Sequence, residues 1–175
     1  MALPSHDIER MFLQAYDEYA DGIFRFCMVK VSDREKALDL MHDTFTRVWE
    51  YSVKGKEIDN WKPFLFKTAH NLIIDYYRKK KTVSLDKMEE ETGFAPVDTT
   101  HTSAEVQAEY NIALRKLHQL DEQYRDPVLL RVVEGLSPKD IAETLGISEN
   151  VVSVRIHRGI AKLREIANAQ TQNKK

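Results

Sequence analysis

Residues 136–164 read LSPKDIAETLGISENVVSVRIHRGIAKLR. Ser137 stands where a hydroxyl accepts the first orphan backbone N–H groups of a helix, and Pro138 fits the first helical position, so a short helix is predicted over Pro138 to Leu145. Ile141, Ala142 and Leu145 fall on its inward side. Gly146 ends it in a sharp turn, Ile147 plugs the corner, and Ser148 caps a second helix running roughly from Glu149 to Arg164. In that helix Val152, Ile156, Ile160 and Leu163 recur at spacings of 4, 4 and 3, which lays one apolar stripe on the first helix. The opposite face carries Asn150, Val151, Val154, His157 and Arg158. Amide, imidazole, guanidinium and bare valine side chains suit base edges, phosphates and thymine methyls in a DNA major groove, so the pair is predicted to be a helix-turn-helix.

A helix, a Gly turn and a second helix also occur in hairpins that bind nothing. Charge separates the two readings. From Val151 to Lys175 there are six Lys or Arg against one Glu, in a chain whose formal charge is −2. Positive charge concentrated on the reading helix and its tail is what phosphate binding requires.

The 175 residues suffice for one ordinary domain or two small ones. With six Gly, five Pro and no convincing strict alternation, the composition favours helices. The single cysteine, Cys27, has no partner for an internal disulfide, which points to a reducing cytoplasm, and a small core hydrophobe is its expected role. The N-terminus lacks a basic region followed by an apolar core, and no apolar run approaches membrane-spanning length, so no membrane insertion is expected. Charge is segregated by sign. Residues 1–50 carry six basic and ten acidic side chains, residues 54–81 eight and three, and residues 86–109 one and seven. Such blocks suggest separate faces for separate partners: a protein contact and two nucleic-acid contacts.

In chain order, a first helix is predicted over Phe12 to Val31, with Phe12, Tyr16, Tyr19, Ile23 and Cys27 as its core stripe. Ser32-Asp33-Arg34-Glu35 has the form of a capping box, with Ser at the cap, opening a second helix to about Tyr51. There Ala37, Leu40, Met41, Thr44, Phe45, Val48 and Trp49 face inward, and Asp39, His42, Asp43, Thr46, Arg47 and Glu50 outward. His42 beside Asp39 or Asp43 lacks a second His at ligand spacing, so this face is expected to be solvated or partner-binding, with no metal and no cofactor. After a polar loop, residues 52–60, Asn60 can cap a third helix from Trp61 to about Lys81. Trp61, Phe64, Leu65, Ala69, Leu72, Ile73 and Tyr76 form its buried stripe. Lys62, Lys67, His70, Asn71, Tyr77, Arg78, Lys79, Lys80 and Lys81 leave a basic, partly aromatic surface that fits single-stranded or melted nucleic acid. Residues 82–103 lose periodicity and read as an acidic linker. The expected architecture is all-α: an N-terminal helical domain over residues 1–81, the linker, and a C-terminal helical domain over residues 104–175. Thr102-Ser103-Ala104-Glu105 looks like a capping box for a helix with Val106, Tyr110, Ala113, Leu117 and Leu120 inward. A further helix is predicted from Asp126 as cap, with Pro127 at its first position, holding Val128, Leu129, Val132 and Val133 and ending at Gly135.

Three stretches together resemble one family: DLMHDTF from Asp39 to Phe45 with Trp49, WKPFLFKTAHNLIIDYYR from Trp61 to Arg78, and Leu120-Asp121 through Val133-Glu134-Gly135 into the helix-turn-helix. The chain is similar to bacterial sigma factors of the extracytoplasmic-function class, small proteins with two helical domains joined by a linker. The resemblance runs from Phe12 to about Ile166. It implies a non-enzymatic protein that binds core RNA polymerase, recognises promoter DNA and opens it. By similarity, Asp39, His42, Asp43, Arg47 and Trp49 would dock on the coiled coil of the largest polymerase subunit, and the C-terminal domain would meet the polymerase flap. The loop with Lys54 and Lys56, together with Lys67 and Asn71, would capture a flipped base of the -10 element. Arg78, Lys79 and Lys80 would hold nearby phosphates. The linker, in this family, threads toward the active centre. The helix-turn-helix would read the -35 element through Asn150, Val151, Ser153, Val154, His157 and Arg158, with Arg155 toward phosphate. An anti-sigma factor is a further implied partner.

The sequence departs from the family in three places. His42 stands where Gln is common, and Val151-Val152-Ser153-Val154 where a Thr-Val-Lys-Ser run is frequent. The second change removes polar contacts and shifts readout toward thymine methyls. Pro127 falls within what is usually a continuous helix. The alternative reading is a transcriptional regulator whose helix-turn-helix binds duplex DNA on its own. A nucleic-acid-processing enzyme lacks its marks: no carboxylate pair flanked by His, no Gly-rich phosphate loop, and no Ser/His/Asp or Cys/His set.

Overall fold

Apolar side chains three and four apart fold as helices in both halves of the chain. The computed structural model describes residues 6–83 and 104–172, and the backbone alone for residues 83, 104–110 and 170–172. Among the described residues there are seven α-helices and one π-helical turn, and no strand. The chain divides into two compact units, Met1–Gly93 and Phe94–Lys175. The first holds α1 (His6–Val31), α2 (Arg34–Val53) and α3 (Trp61–Val83). The second holds α4 (Ala104–His118), α5 (Glu122–Val128), the π turn (Leu129–Val133), α6 (Pro138–Leu145) and α7 (Glu149–Gln172).

In the first unit α1 packs on both α2 and α3. Its C-terminal half is therefore buried on more than one side: beyond the predicted Ile23 and Cys27, the side chains of Phe24, Phe26, Met28 and Val29 are buried, while Phe12, Tyr16 and Tyr19 are half-buried. Phe26 meets Phe66 of α3 edge-on, centroids 5.7 Å apart, and both are fully buried. The junction between α1 and α2 corrects the expected cap by one residue. Ser32 takes a left-handed conformation (φ +53°), and its N–H donates to Met28 O at 2.9 Å, closing α1. Asp33 is the cap of α2, its carboxylate accepting from Lys36 N at 3.0 Å. The inward residues of α2 are buried from Ala37 to Val48, and Trp49 is half-buried. α3 extends two residues past Lys81; the rest of the predicted linker and the Thr102-Ser103 cap lie outside the described residues.

In the second unit the helix expected to open at Asp126 starts instead at Glu122, with Asp121 as its cap residue. Arg125 decides this, because its guanidinium donates to His118 O at 2.9 Å and Leu120 O at 2.8 Å, folding residues 122–126 back under the end of α4. Pro127 thus sits inside a helix, where it has no N–H for the carbonyl one turn back. The strand of hydrogen bonds slackens directly after it: Glu134 N reaches five residues back to Leu129 O at 3.1 Å, a π-helical pitch. Leu129 and Leu130 are fully buried in this turn, whereas Val132 and Val133 are exposed. In α4 the inward residues include Leu114 rather than Ala113, which is exposed; Leu117 and Leu120 are buried as predicted. Val106 and Tyr110 lie where the backbone alone is described.

Candidate nucleic-acid and polymerase interfaces

The pair α6–α7 is fixed by the turn chemistry expected of it. Ser137 Oγ accepts from Asp140 N at 3.1 Å and donates to the Asp140 carboxylate at 2.6 Å, with Pro138 at the first position of α6. Gly146, in the left-handed conformation (φ +66°), closes α6, and Ile147 N donates to Ala142 O at 3.1 Å. Ser148 Oγ then accepts from Val151 N at 3.3 Å at the start of α7. Ile141 and Val152 are fully buried. A buried valine contributes roughly 1.5–3 kcal/mol relative to an exposed one, so Val152 sets which face of α7 turns outward.

That outward face carries the predicted reading residues. Asn150, Val151, Ser153, Val154, His157 and Arg158 are all exposed, and Arg155 is half-buried. Glu149, at the first position of α7, and Lys162 and Arg164 beyond the face are exposed as well. On the inner side Gly159 is buried against α5, where a Cβ would stand 2.5 Å from Val128 Cγ2 and 3.3 Å from Tyr124 Cβ. The same helix is tied to α5 by Lys162, whose Nζ donates to Asp121 Oδ2 at 3.0 Å and lies 4.6 Å from the Tyr124 ring. The hydrogen bond to Asp121 holds the Lys162 ammonium above its ordinary range. Gly159 was absent from the sequence-predicted set; its signal was a lone Gly inside a helical run.

In the first unit the basic surface of α3 forms as expected. Asn71, Arg78, Lys79, Lys80 and Lys81 are exposed, and Lys67 is half-buried. Asn71 and Arg78 are seven residues apart and share one stripe. Ile74, exposed at half its surface, lies between them on that stripe and escaped the sequence reading because its neighbours Leu72 and Ile73 are core. Lys54 and Lys56 flank Gly55, whose φ of +76° makes the turn out of α2, and both are exposed. The Lys56 ammonium sits 5.0 Å from the Tyr51 ring. Arg78 pairs with Asp75 at 3.0 Å, and the Tyr77 hydroxyl donates to Lys30 O, anchoring the outer end of α3 to α1.

On α2, Asp39, His42, Asp43 and Arg47 form an exposed strip with Thr46 and Glu50. Trp49 differs from the others. Its ring packs on Phe12 at 4.9 Å, and Phe12 in turn meets Phe45 at 6.1 Å and Trp61 at 6.3 Å, so Trp49 is part of the aromatic cluster that joins the three helices. Among the described residues no group of three or more His, Cys, Asp or Glu is placed to hold a metal ion, and no helix is long and apolar enough to cross a membrane.

Residues 15–83, the three helices of the first unit less the start of α1, match the family model for Sigma-70 region 2, and residues 110–163 match that for Sigma-70, region 4. The chain belongs to the sigma-70 family, in its extracytoplasmic-function class. As a sigma factor it directs promoter-specific transcription. The extracytoplasmic-function sigma factor SigE of Mycolicibacterium smegmatis is 27% identical over 173 residues, a match covering 94% of this chain and 62% of SigE. SigL of Mycobacterium tuberculosis is 27% identical over 150 residues, covering 85% of this chain and 84% of SigL. The sigma factor RpoE of Bartonella quintana, solved in complex with the anti-sigma factor NepR, shares the fold: TM-score 0.72 at 23% identity, over 91% of this chain and 98% of that one. The region 2 match ends at the residue where α3 ends, and the region 4 match closes at Leu163, the last residue of the predicted stripe on α7.

Proposed function

We propose that this sigma factor divides its work among three surfaces. The outer strip of α2, with Asp39, His42, Asp43 and Arg47, docks on the coiled coil of the largest subunit of core RNA polymerase, while the second unit meets the flap. The basic face of α3 with Lys54, Lys56, Lys67 and Asn71 holds the -10 element as it melts, and Arg78, Lys79 and Lys80 hold adjacent phosphates. The outward face of α7, from Asn150 to Arg158, reads the -35 element as duplex. It is a binding subunit without chemistry of its own, working in the cytoplasm, and an anti-sigma factor restrains it.

One observation carries this reading most. Six of the seven predicted reading residues are exposed together on α7, on the side opposite Val152, which is fully buried. A helix whose inner side is locked and whose outer side combines Asn, His and Arg with valines is built for a groove. Two DNA-binding surfaces, one suited to duplex and one to melted strand, favour promoter opening over simple duplex binding.

The test is transcription in vitro with purified core polymerase and a genome-wide pool of promoter fragments. The expected result is initiation from a discrete promoter set only when both proteins are present. Tight, sequence-specific duplex binding by the chain alone, with no promoter set gained on adding polymerase, would instead establish the alternative of an autonomous helix-turn-helix regulator.

A further inference from the structure

Two large apolar side chains lie in the open on the reading face of α7. Val151 is 38% and Val154 47% exposed, and they are three residues apart, in the first two turns of the helix. Side chains at that spacing are neighbours on one face, with Cβ atoms on the order of 5–6 Å apart. Exposed Asn150, His157 and Arg158 surround them. The valines are thus not the edge of a buried core, because Val152 between them is the residue that points inward. They form a small apolar island within a polar, basic surface.

A valine has neither donor nor acceptor, so it discriminates among base pairs only by apolar contact and shape. In the major groove the apolar group that distinguishes one base from the others is the C5-methyl of thymine. Base pairs follow one another at about 3.4 Å, so two side chains separated by about 5–6 Å span one to two steps. In helix-turn-helix proteins it is the N-terminal part of the reading helix that reaches base edges, and Val151 and Val154 are its third and sixth residues. The polar neighbours Asn150, His157 and Arg158 are exposed beside the valines and carry donors suited to phosphates and base acceptors.

We propose that Val151 and Val154 act as a paired methyl reader, recognising thymines on adjacent or next-adjacent base pairs of the -35 element. This rests on the sigma-factor reading above and names what that surface selects. Removing one contacted methyl from the DNA costs the burial of about one apolar carbon, which corresponds to about a fourfold loss of binding.

The experiment uses holoenzyme assembled from the full chain and core polymerase, on a promoter drawn from the genome-wide pool. Each thymine of the -35 element, on either strand, is replaced singly by deoxyuridine, which removes the methyl and leaves every hydrogen-bonding group in place. At one or two positions the native holoenzyme is expected to lose about fourfold in promoter affinity. Val154→Ala or Val151→Ala, each at an exposed position, is expected to bind weakly on thymine DNA and to show no further loss on uracil DNA. The proposal is overturned if no deoxyuridine substitution matters while Arg158→Ala still weakens binding, because α7 then reads DNA without its valines. It is overturned equally if the valine variants lose polymerase assembly and keep promoter preference, which would make the island a protein contact. Failure to obtain any promoter from the pool would overturn the sigma reading itself, and the proposal with it.

Discussion

Gly159 and Val128 approach so closely that a Cβ on the glycine would stand 2.5 Å from Val128 Cγ2. The contact sets the distance between α7 and the proline-containing helix α5. Two effects oppose each other in Gly159→Ala. Helix propensity favours alanine by about 1 kcal/mol. Overpacking against a short, buried, branched side chain costs roughly 1–3 kcal/mol. The branched neighbour has no flexible end to move, so the net outcome is destabilisation by up to about 2 kcal/mol, read by denaturant unfolding. Adding Val128→Ala opens the space, and the double variant is expected to be more stable than the sum of the singles. Additive losses would mean that the two residues do not press on one another.

Ser137→Ala removes the hydroxyl that both accepts from Asp140 N and donates to its carboxylate. Loss of a helix cap costs about 1 kcal/mol. Because α6 is eight residues long, that loss is expected to weaken -35-dependent binding along with stability. Ser137→Asp keeps an acceptor and should restore part of it; equal behaviour of the two variants would argue against the cap.

Acid is expected to loosen the second unit. Burial, and then the neighbouring Arg125 guanidinium, push the His118 imidazole below its ordinary value of 6.5. The folded state therefore binds the proton less readily than the unfolded chain. Stability is full above about pH 6.5 and falls as the pH drops below it, since unfolding then takes up a proton. Thermal unfolding followed between pH 7.5 and 5.5 checks this, with His118→Gln expected to flatten the slope. An unchanged slope in that variant would assign the effect to other groups.

Salt distinguishes the two proposed DNA surfaces. Each lysine that neutralises a phosphate adds roughly 0.7–0.9 to the slope of log affinity against log salt. Replacing Lys79 and Lys80 by Ala is thus expected to lower the holoenzyme's slope by about 1.5 while its promoter preference stays the same. Arg158→Ala should cost roughly 1–3 kcal/mol and relax the preference at one -35 position. The reverse pattern would exchange the roles given to these residues.

The sequence was most readable where a turn and a periodic stripe agree. Ser137, Gly146 and Ser148 mark the helix ends that the structure has, and the six outward residues of α2 are all exposed. It misled where two residues compete for one role. Ser32 and Asp33 are both good caps, and only the closing bond from Ser32 N to Met28 O assigns the first to α1 and the second to α2. Asp126-Pro127 has the form of a helix start, but the long-range bonds of Arg125 to the end of α4 impose helix before it, and the proline is accommodated by a π turn. Gly159 carried no local sign of its partner, since Val128 lies 31 residues away. Contacts of that kind are tertiary, and periodicity within one helix does not reach them.

Cys27 is fully buried in the core of the first unit, and burial pushes its thiol up to about 12. Near neutral pH it is protonated and shielded, so neither alkylating reagents nor oxidants meet a thiolate while α1 stays packed. The chain thereby carries its own stopwatch: the rate at which that sulfur becomes reactive measures how often the first unit comes apart.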